Sequence, residues 1–253
     1  MRLYSQAAPE DAATIVLLRD CPSGMEVYLT ERQDRLPFLG GYHVFPGGKV
    51  DPEDSSGPVL SRCRGLAPEE TVSCLEGVSE VERACGFYVA GVRELFEEAG
   101  ILLAQDRSGN FLDNPSEDLS RRLRAYRLEL QKDAVPLSRI LEEEDLYLCL
   151  DRVLWFAQWI TPPTSPRRFI TYFFLARKPA GQEAPPFPAE VAREYWTTPA
   201  EALHKWKRGE WKMIPPTLAS LDTLSRYESW QQVKQDYSRA PSEHRRTVWK
   251  GQM

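Results

Sequence analysis

The feature of the sequence that most limits its fold is a set of three glutamates near the end of one predicted helix. Glu94, Glu97 and Glu98 lie in the segment VRELFEEAG, and the helical repeat places them together on one face. Like charges this close repel one another, so the arrangement is destabilising unless a cation neutralises it. The other side of the segment is apolar. The sequence therefore predicts a core-packed helix over about 79–99 that presents clustered carboxylates.

The ends of this helix also follow from the sequence. Ser79 and Glu82 are spaced as a capping box, and Gly100 can adopt the left-handed conformation that ends a helix. Gly91 lies one turn before Glu94, and we interpret it as room for a ligand or for a neighbouring backbone. The ordinary alternative for such a cluster is a solvated acidic helix face. Clustered carboxylates that do bind an ion favour Mg²⁺ or Mn²⁺ over zinc.

A glycine turn upstream argues against that ordinary alternative. The segment HVFPGGKVDPED, residues 43–54, is a short apolar strand followed by Pro-Gly-Gly and then acids. Glycines let a backbone approach a ligand closely. Together with RELFEEAGI this segment resembles the two halves of the Nudix hydrolase signature. The second half matches at every defined position, whereas the first half carries Asp54 where the family usually has glutamate.

The signature is interrupted. Residues 55–92, which are 38 positions, separate Asp54 from Arg93, and the family usually leaves about seven. The interruption is similar to one branch of the family that includes coenzyme A diphosphatases. The segment LTERQDRLPFLGGYHVFPGG, residues 29–48, also resembles the Arg- and Gly-bearing element ahead of the box in coenzyme A-cleaving members.

The resemblance implies an α/β fold, namely an α/β/α sandwich with a mixed β-sheet. We expect one domain over 1–253, with a helical insertion at 55–78 and a C-terminal helical extension at 199–253. The insertion is expected to form a flap or a packing element at the side, and Pro68 places a short helix within it. Apolar and aromatic runs predict strands at 13–19, 25–30, 153–161 and 168–176.

The resemblance also implies roles for individual residues. Arg93, Glu94 and Glu97 are expected to serve catalysis, and the metal ligands are expected to be Gly47, through its carbonyl, with Glu94, Glu97 and Glu98. Arg93 is expected to orient the cluster by pairing with Glu97 or with the loop acid, which is Asp54 or, because aspartate is shorter, Glu53. The general base is left open between Glu94, Glu97 and an acid outside the box, for which the run 142–145 is one candidate.

Four arginines are candidates for binding the substrate. Arg32 and Arg35 lie in the loop ahead of the glycine turn, and Arg167 and Arg168 lie at the entrance of a predicted strand. Arginine suits the bidentate recognition of phosphate and carboxylate groups. For Arg32 and Arg35 ordinary surface charge is the competing interpretation.

The implied activity is that of a Mg²⁺- or Mn²⁺-dependent diphosphatase. The expected substrate is coenzyme A or an acyl-coenzyme A, which would be split to 3′,5′-ADP and a phosphopantetheine product. Enzymes that act on NADH, ADP-ribose or nucleotide sugars use the same box. The competing class is a nucleotide-binding or regulatory module that keeps the fold without turnover.

Composition and sequence pattern limit the classes of partner and the locations that we expect for the protein. The net charge of −5 gives no support to nucleic-acid binding. No apolar run reaches the length of a membrane span, and the first residues lack the apolar centre of a signal peptide. With five cysteines and no CxxC pair, we expect reduced thiols and a cytoplasmic location. Whether the protein is a homodimer is left open.

Overall fold

The computed structural model describes residues 8–165, 167–183 and 191–238, and the backbone of 248–250. The strands in these ranges are β1 (Glu10–Cys21), β2 (Gly24–Arg32), β3 (His43–Val44), β4 (Gly47–Lys49), β5 (Cys63–Arg64), β6 (Ala104–Asp106), β7 (Leu146–Cys149), β8 (Val153–Ile160), β9 (Phe169–Arg177), β10 (Val191–Thr197) and β11 (Val248–Lys250). The helices are α1 (Gly57–Leu60), α2 (Pro68–Cys74), α3 (Val81–Ala99), α4 (Glu117–Leu130), α5 (Leu137–Glu143), α6 (Pro199–Lys207), α7 (Pro215–Leu224) and α8 (Trp230–Tyr237).

The main sheet is mixed. Its strand order is β10-β2-β1-β9-β8-β11, in which β1 runs parallel to β9 and β8 parallel to β11. β1 and β2 pair as a hairpin from Leu18 to Cys21. Nearer the start of β1, its partner is β4, with Gly48 opposite Ala13, while β3 pairs with β2. The glycine turn is thereby held between β1 and β2, the two strands of the hairpin.

Helices cover both faces of this sheet, which confirms the predicted α/β/α sandwich. Alternate residues of β1 point to opposite faces. Ala13, Ile15 and Leu17 pack into the core that includes α3. Val16 and Leu18 pack into a second core with side chains of α7 and α8. The carboxylate-bearing helix therefore has the sheet on one side, and the C-terminal helices lie on the far side of that sheet.

The insertion is a packing element at the side of the domain. Val59, Leu75 and Val78 are buried in the core shared with α3, and β5 pairs with β7 in a second, three-stranded sheet. The predicted helix that begins at Pro68 is present as α2. The sequence left open whether the insertion forms a flap or a packing element at the side, and these contacts match the packing element.

Two details at the ends of α3 differ in outcome. The helix begins at Val81, and its N-cap residue Glu80 makes no side-chain capping bond. The predicted capping box of Ser79 and Glu82 is therefore wrong, because Ser79 lies one residue before the N-cap. Gly100 has φ of 69° and ends the helix in the left-handed conformation, as predicted.

Gly91 faces the sheet. A Cβ at this position would lie 3.0 Å from Cδ1 of Ile15 on β1 and 3.6 Å from a ring carbon of Phe174 on β9. The glycine therefore permits a close approach of α3 to the side chains of the sheet. The expectation that it leaves room for a ligand is wrong.

The described part of the C-terminal extension contains α6, α7 and α8. Besides α6 and α7, α8 packs Val233 into the second core, and the backbone N–H of Trp230 donates to the Asp20 carboxylate at 2.7 Å. Most of the chain after Ser238 lies outside the described residues. In the parts of the chain that the structure describes, no helix is both long enough and apolar enough to cross a bilayer.

Candidate active site

The three glutamates lie in the last two turns of α3 and are largely removed from solvent. The side chains of Glu94, Glu97 and Glu98 are 14%, 19% and 10% exposed. A solvated acidic face would leave such groups in water. Because burial of unpaired charges is costly, these carboxylates need partners, and the structure supplies several.

Arg93 is the main partner. Its guanidinium is buried, and Nε and Nη2 donate to the two carboxylate oxygens of Asp54 at 2.8 and 3.0 Å. Nη1 donates to Glu94 at 2.9 Å and to Glu97 at 2.8 Å, and Nη2 also donates to the carbonyl of Lys49 at 2.8 Å. Burial acts to lower the pKa of Arg93, but Asp54, Glu94 and Glu97 raise it overall. Arg93 thus ties α3 to the segment that follows the glycine turn.

Asp54 makes the contact with Arg93 that was expected of the loop acid. It lies on a short 3₁₀ turn (Pro52–Ser55) that carries it to Arg93, it is 1% exposed, and it also accepts the backbone N–H of Asp51 at 2.8 Å. Glu53, the alternative, accepts instead from the hydroxyl of Ser138 at 2.5 Å. The bidentate pair therefore uses Asp54.

The glycine turn lies directly against Glu94. A Cβ on Gly48 would fall 2.3 Å from Oε1 of Glu94, so only glycine fits here without displacing the carboxylate. A Cβ on Gly47 would fall 2.5 Å from the carbonyl oxygen of Ala13 on β1. Gly48 therefore allows the backbone of the turn to lie close to Glu94, and Gly47 allows it to lie close to β1.

Burial also makes the carboxylate charges unfavourable. It raises the pKa of Glu94 to about 8 against the lowering effect of Arg93, and the neighbouring Glu97 raises it further. The pKa of Glu97 is likewise raised, mainly by burial. Additional positive charge beside these groups would favour their ionised forms.

The donor set is suited to a hard divalent cation, although the side chains are arranged around Arg93. Among the described residues, no three acids, histidines or cysteines are grouped so as to hold a metal ion. Nη1 of Arg93 contacts both Glu94 and Glu97, while Glu98 faces Arg32, whose Nη1 lies 3.9 Å from its carboxylate. Three buried carboxylates beside a side-chain-free backbone at Gly48 nevertheless fit the oxygen chemistry of Mg²⁺ or Mn²⁺.

Arg32, at the end of β2, is one of the four predicted substrate-binding arginines, and its Nη1 lies 3.9 Å from the carboxylate of Glu98. Arg35 is exposed in the loop between β2 and β3. Arg167 is exposed just before β9, and Nε of Arg168 donates to the carbonyl of Thr161 at 3.3 Å. The latter two therefore flank the entrance of β9, as the sequence indicated.

The acidic run 142–145 is engaged with arginines of its own surroundings. Glu143 accepts from Arg139 at 2.7 Å and Glu144 from Arg122 at 2.7 Å. Asp145 accepts from Arg62 at 2.8 Å. Glu142 and Glu143 are exposed, and the other acids of the run are held by these arginines.

Two side chains, one on α4 and one at its C-cap, hold the end of α3, and the sequence analysis did not single them out. Arg127 is buried and donates to the backbone carbonyls of Glu97 and Glu98 at 2.8 and 2.7 Å. Gln131 also donates to the carbonyl of Glu97. They satisfy carbonyls that a helix end leaves without intrahelical partners. The available signal was the position of Arg127, which comes four residues after Leu123 and so lies on the apolar face of an amphipathic pattern.

Comparison with solved structures gives the class of fold. The structure matches a Nudix hydrolase from Alicyclobacillus acidocaldarius with a TM-score of 0.75 and 28% sequence identity, over 94% of this chain and 100% of that one. The architecture around α3 and the glycine turn is therefore the Nudix fold.

Sequence comparison narrows the class to one family. A family model described as the NUDT19 Nudix domain matches residues 7–224, and the chain belongs to this family. It is 28% identical over 248 residues to the acyl-coenzyme A diphosphatase NUDT19 of Gallus gallus, covering 82% of this chain and 63% of that protein. It is 27% identical over 219 residues to the putative nudix hydrolase 7 of Caenorhabditis elegans, covering 87% and 61%. The chain thus spans about three fifths of the length of these relatives.

Proposed function

We propose that the protein is a diphosphatase that uses Mg²⁺ or Mn²⁺ to cleave coenzyme A or an acyl-coenzyme A to 3′,5′-ADP and the corresponding phosphopantetheine. The observation that carries the proposal is the buried carboxylate cluster of α3, which is held by Arg93 against the backbone of Gly48. Membership of the NUDT19 Nudix domain family supports the reaction class. The names of the vertebrate relatives and the element at 29–48 support the substrate.

The cluster has the properties that this reaction requires. A diphosphate resists attack by water because it is anionic, and a bound divalent cation offsets that charge. Glu94, Glu97 and Glu98 would hold the cation, together with the carbonyl of Gly47. Arg93 keeps Glu94 and Glu97 in place through two hydrogen bonds from one nitrogen. We assign removal of the proton from the attacking water to Glu94 or Glu97, because Glu143, Glu144 and Asp145 pair with arginines of their own surroundings.

The arginines around the site suit an anionic substrate. Arg32 lies 3.9 Å from Glu98 and is about 19% exposed, so a phosphate that enters beside Glu98 meets a positive charge. Arg35, Arg167 and Arg168 are the further candidates for phosphate binding. A purely ligand-binding module of this fold has no need for three adjacent buried acids, which is the reason for preferring turnover.

The test is a hydrolysis assay with and without metal. Coenzyme A, acetyl-coenzyme A, NADH, ADP-ribose and a nucleotide sugar are offered with Mg²⁺, with Mn²⁺ and with EDTA. We expect 3′,5′-ADP to be released from the coenzyme A compounds and the release to stop in EDTA. Glu97→Gln should lower kcat by about a thousandfold or more, which is the scale of losing charge stabilisation in the transition state.

Glu82→Gln is the matched control, because Glu82 is exposed on the same helix. It should leave kcat unchanged. Preferential hydrolysis of NADH, ADP-ribose or the nucleotide sugar would replace the proposed substrate. Glu97→Gln turnover equal to that of the parent would contradict the role given to Glu97, and lack of turnover on every compound would favour a binding module.

A further inference from the structure

A cavity of about 460 Å³ adjoins the C-terminal end of α3. Ala99 and Ile101 form its wall on the side of α3, and Tyr28 of β2 and Trp196 of β10 form the wall on the side of the sheet. Its volume lies within the range of about 300–1,000 Å³ that is typical of small-molecule sites. None of these residues has a part in the chemistry described above.

The cavity lies on the same face of the sheet as the carboxylates. Ala99 follows Glu98 directly in α3. Tyr28 and Arg32 are four residues apart on β2, so both point to the face that α3 covers, and Arg32 reaches Glu98 at 3.9 Å. Four residues of a strand span roughly 13 Å. A molecule whose diphosphate lies at the carboxylates therefore has this cavity beside one of its ends.

The charged groups around the cavity are balanced and largely paired. Arg19 donates to Glu26 at 2.8 Å and Lys178 to the carbonyl of Pro179 at 3.3 Å. Of the two acids that line the cavity, Glu194 accepts from the Tyr28 hydroxyl at 2.7 Å, and the other is Glu183. The two acids would repel a further phosphate in this cavity. An alkyl chain is also disfavoured, because it would remove these charged groups from water without offering them hydrogen bonds.

Its aromatic wall suits a flat ring. The guanidinium of Arg19 lies 4.2 Å from the ring centre of Trp196, and Tyr28 packs against Trp196 with ring centroids 5.2 Å apart. Stacked aromatic and guanidinium planes are the surfaces on which bases stack. The carboxylates of Glu183 and Glu194 can accept hydrogen bonds from ring amino groups.

We propose that this cavity binds the nucleobase of the substrate, with Trp196 as the residue that selects for a base. The proposal rests on the proposed function for the position of the diphosphate at the carboxylates. With the nucleobase in this cavity, the phosphopantetheine arm of the substrate would lie on the opposite side of the carboxylate cluster.

Binding in EDTA tests this assignment without turnover. The probes are 3′,5′-ADP, AMP and 4′-phosphopantetheine, measured by titration calorimetry with the whole chain. Trp196→Leu should weaken both adenine nucleotides about tenfold or more, the scale of losing one base–aromatic stack, and should leave 4′-phosphopantetheine unchanged. Trp196→Phe, which keeps an aromatic ring, should stay within about threefold of the parent.

Trp206→Leu is the matched control, since Trp206 is 39% exposed on α6. It should bind all three probes as the parent does. Equal nucleotide binding by Trp196→Leu and the parent would overturn the assignment, as would selective loss of 4′-phosphopantetheine or no nucleotide binding by the parent. If Trp196 governs AMP binding in a protein that does not cleave coenzyme A, the proposed substrate fails and the base site stands.

Discussion

Two buried polar centres lie on opposite faces of the same sheet, and they remain buried by different means. On the face covered by α3, Arg93 is 6% exposed and is hydrogen-bonded to Asp54, Glu94 and Glu97. On the other face, His43 of β3 is 4% exposed, and neither of its ring nitrogens has a hydrogen-bond partner among the described residues. One centre keeps its charges by pairing them, and the other contains an imidazole packed among aromatic rings.

The difference is visible in the surroundings of each group. His43 stacks on Trp211 with ring centroids 4.2 Å apart and packs at 5.4 Å against Tyr195. Burial lowers the pKa of His43 and Lys205 also lowers it, while Glu31 and the backbone of Lys212 oppose them. The contribution of a buried, paired charge to folding stability is expected to depend on its partners. The contribution of a buried neutral imidazole is expected to depend on pH. The protein places its charge-dependent centre on the side where an anionic substrate is proposed to bind.

Removing Arg93 should have the largest effect on stability. Arg93→Ala leaves Asp54, Glu94 and Glu97 buried without their shared cation. Breaking one side of a buried ion pair costs about 3–5 kcal/mol, so we expect a loss of that size in the free energy of urea unfolding without added metal.

Arg83→Ala is the control, because Arg83 forms a bidentate pair with Asp11 but its side chain is 37% exposed. It should cost about 1 kcal/mol or less. Equal losses in the two variants would show that the Arg93 cluster behaves as a surface pair and would remove the contrast with His43.

A smaller effect is expected from lengthening the acid that pairs with Arg93. Asp54→Glu adds one methylene at a position that is 1% exposed and already bonded to Arg93 at 2.8 and 3.0 Å. Overpacking of this kind costs about 1–3 kcal/mol, and we expect a loss in that range by urea unfolding. A gain in stability would instead show that the 3₁₀ turn can shift to accept the longer side chain.

The fold could be predicted from the family resemblance that the two signature segments carry, and the position of the cluster from a local pattern. Glu94, Glu97, Glu98 and the Gly100 C-cap all belong to one continuous helical segment, so their relative positions follow from its sequence. The choice between Asp54 and Glu53 does not, since it depends on a 3₁₀ turn and on Ser138, which lies 85 residues from Glu53.

Contacts between distant segments account for the rest of what was missed. Arg127 holds the end of α3 from a helix 29 residues further along the chain, and Tyr28 meets Glu194 across 166 residues. Gly91 was interpreted as room for a ligand or a neighbouring backbone, because a glycine inside a helix signals close approach without identifying the approaching group. In the structure that group is the side chain of Ile15.

The smallest effect should appear as a dependence on pH. The pKa of His43 is lowered in the folded state, so the unfolded chain, with a histidine pKa near 6.5, binds more protons as the pH falls through that value. Folding stability from this group is therefore present at pH 7.5 and is lost towards pH 5. His43→Phe should remove that loss, so that the parent loses about 1 kcal/mol more than the variant between these two pH values.

Urea unfolding at both pH values checks this difference, and His204→Phe is the control because the His204 side chain is 59% exposed. The His204 variant should follow the parent at both pH values. If His43→Phe has the same pH dependence as the parent, the buried imidazole does not control it, and the acids of the Arg93 cluster become the groups to examine. In that case the pH dependence of folding stability would come from the Arg93 face alone, and the proposed contrast between the two centres in their response to pH would disappear.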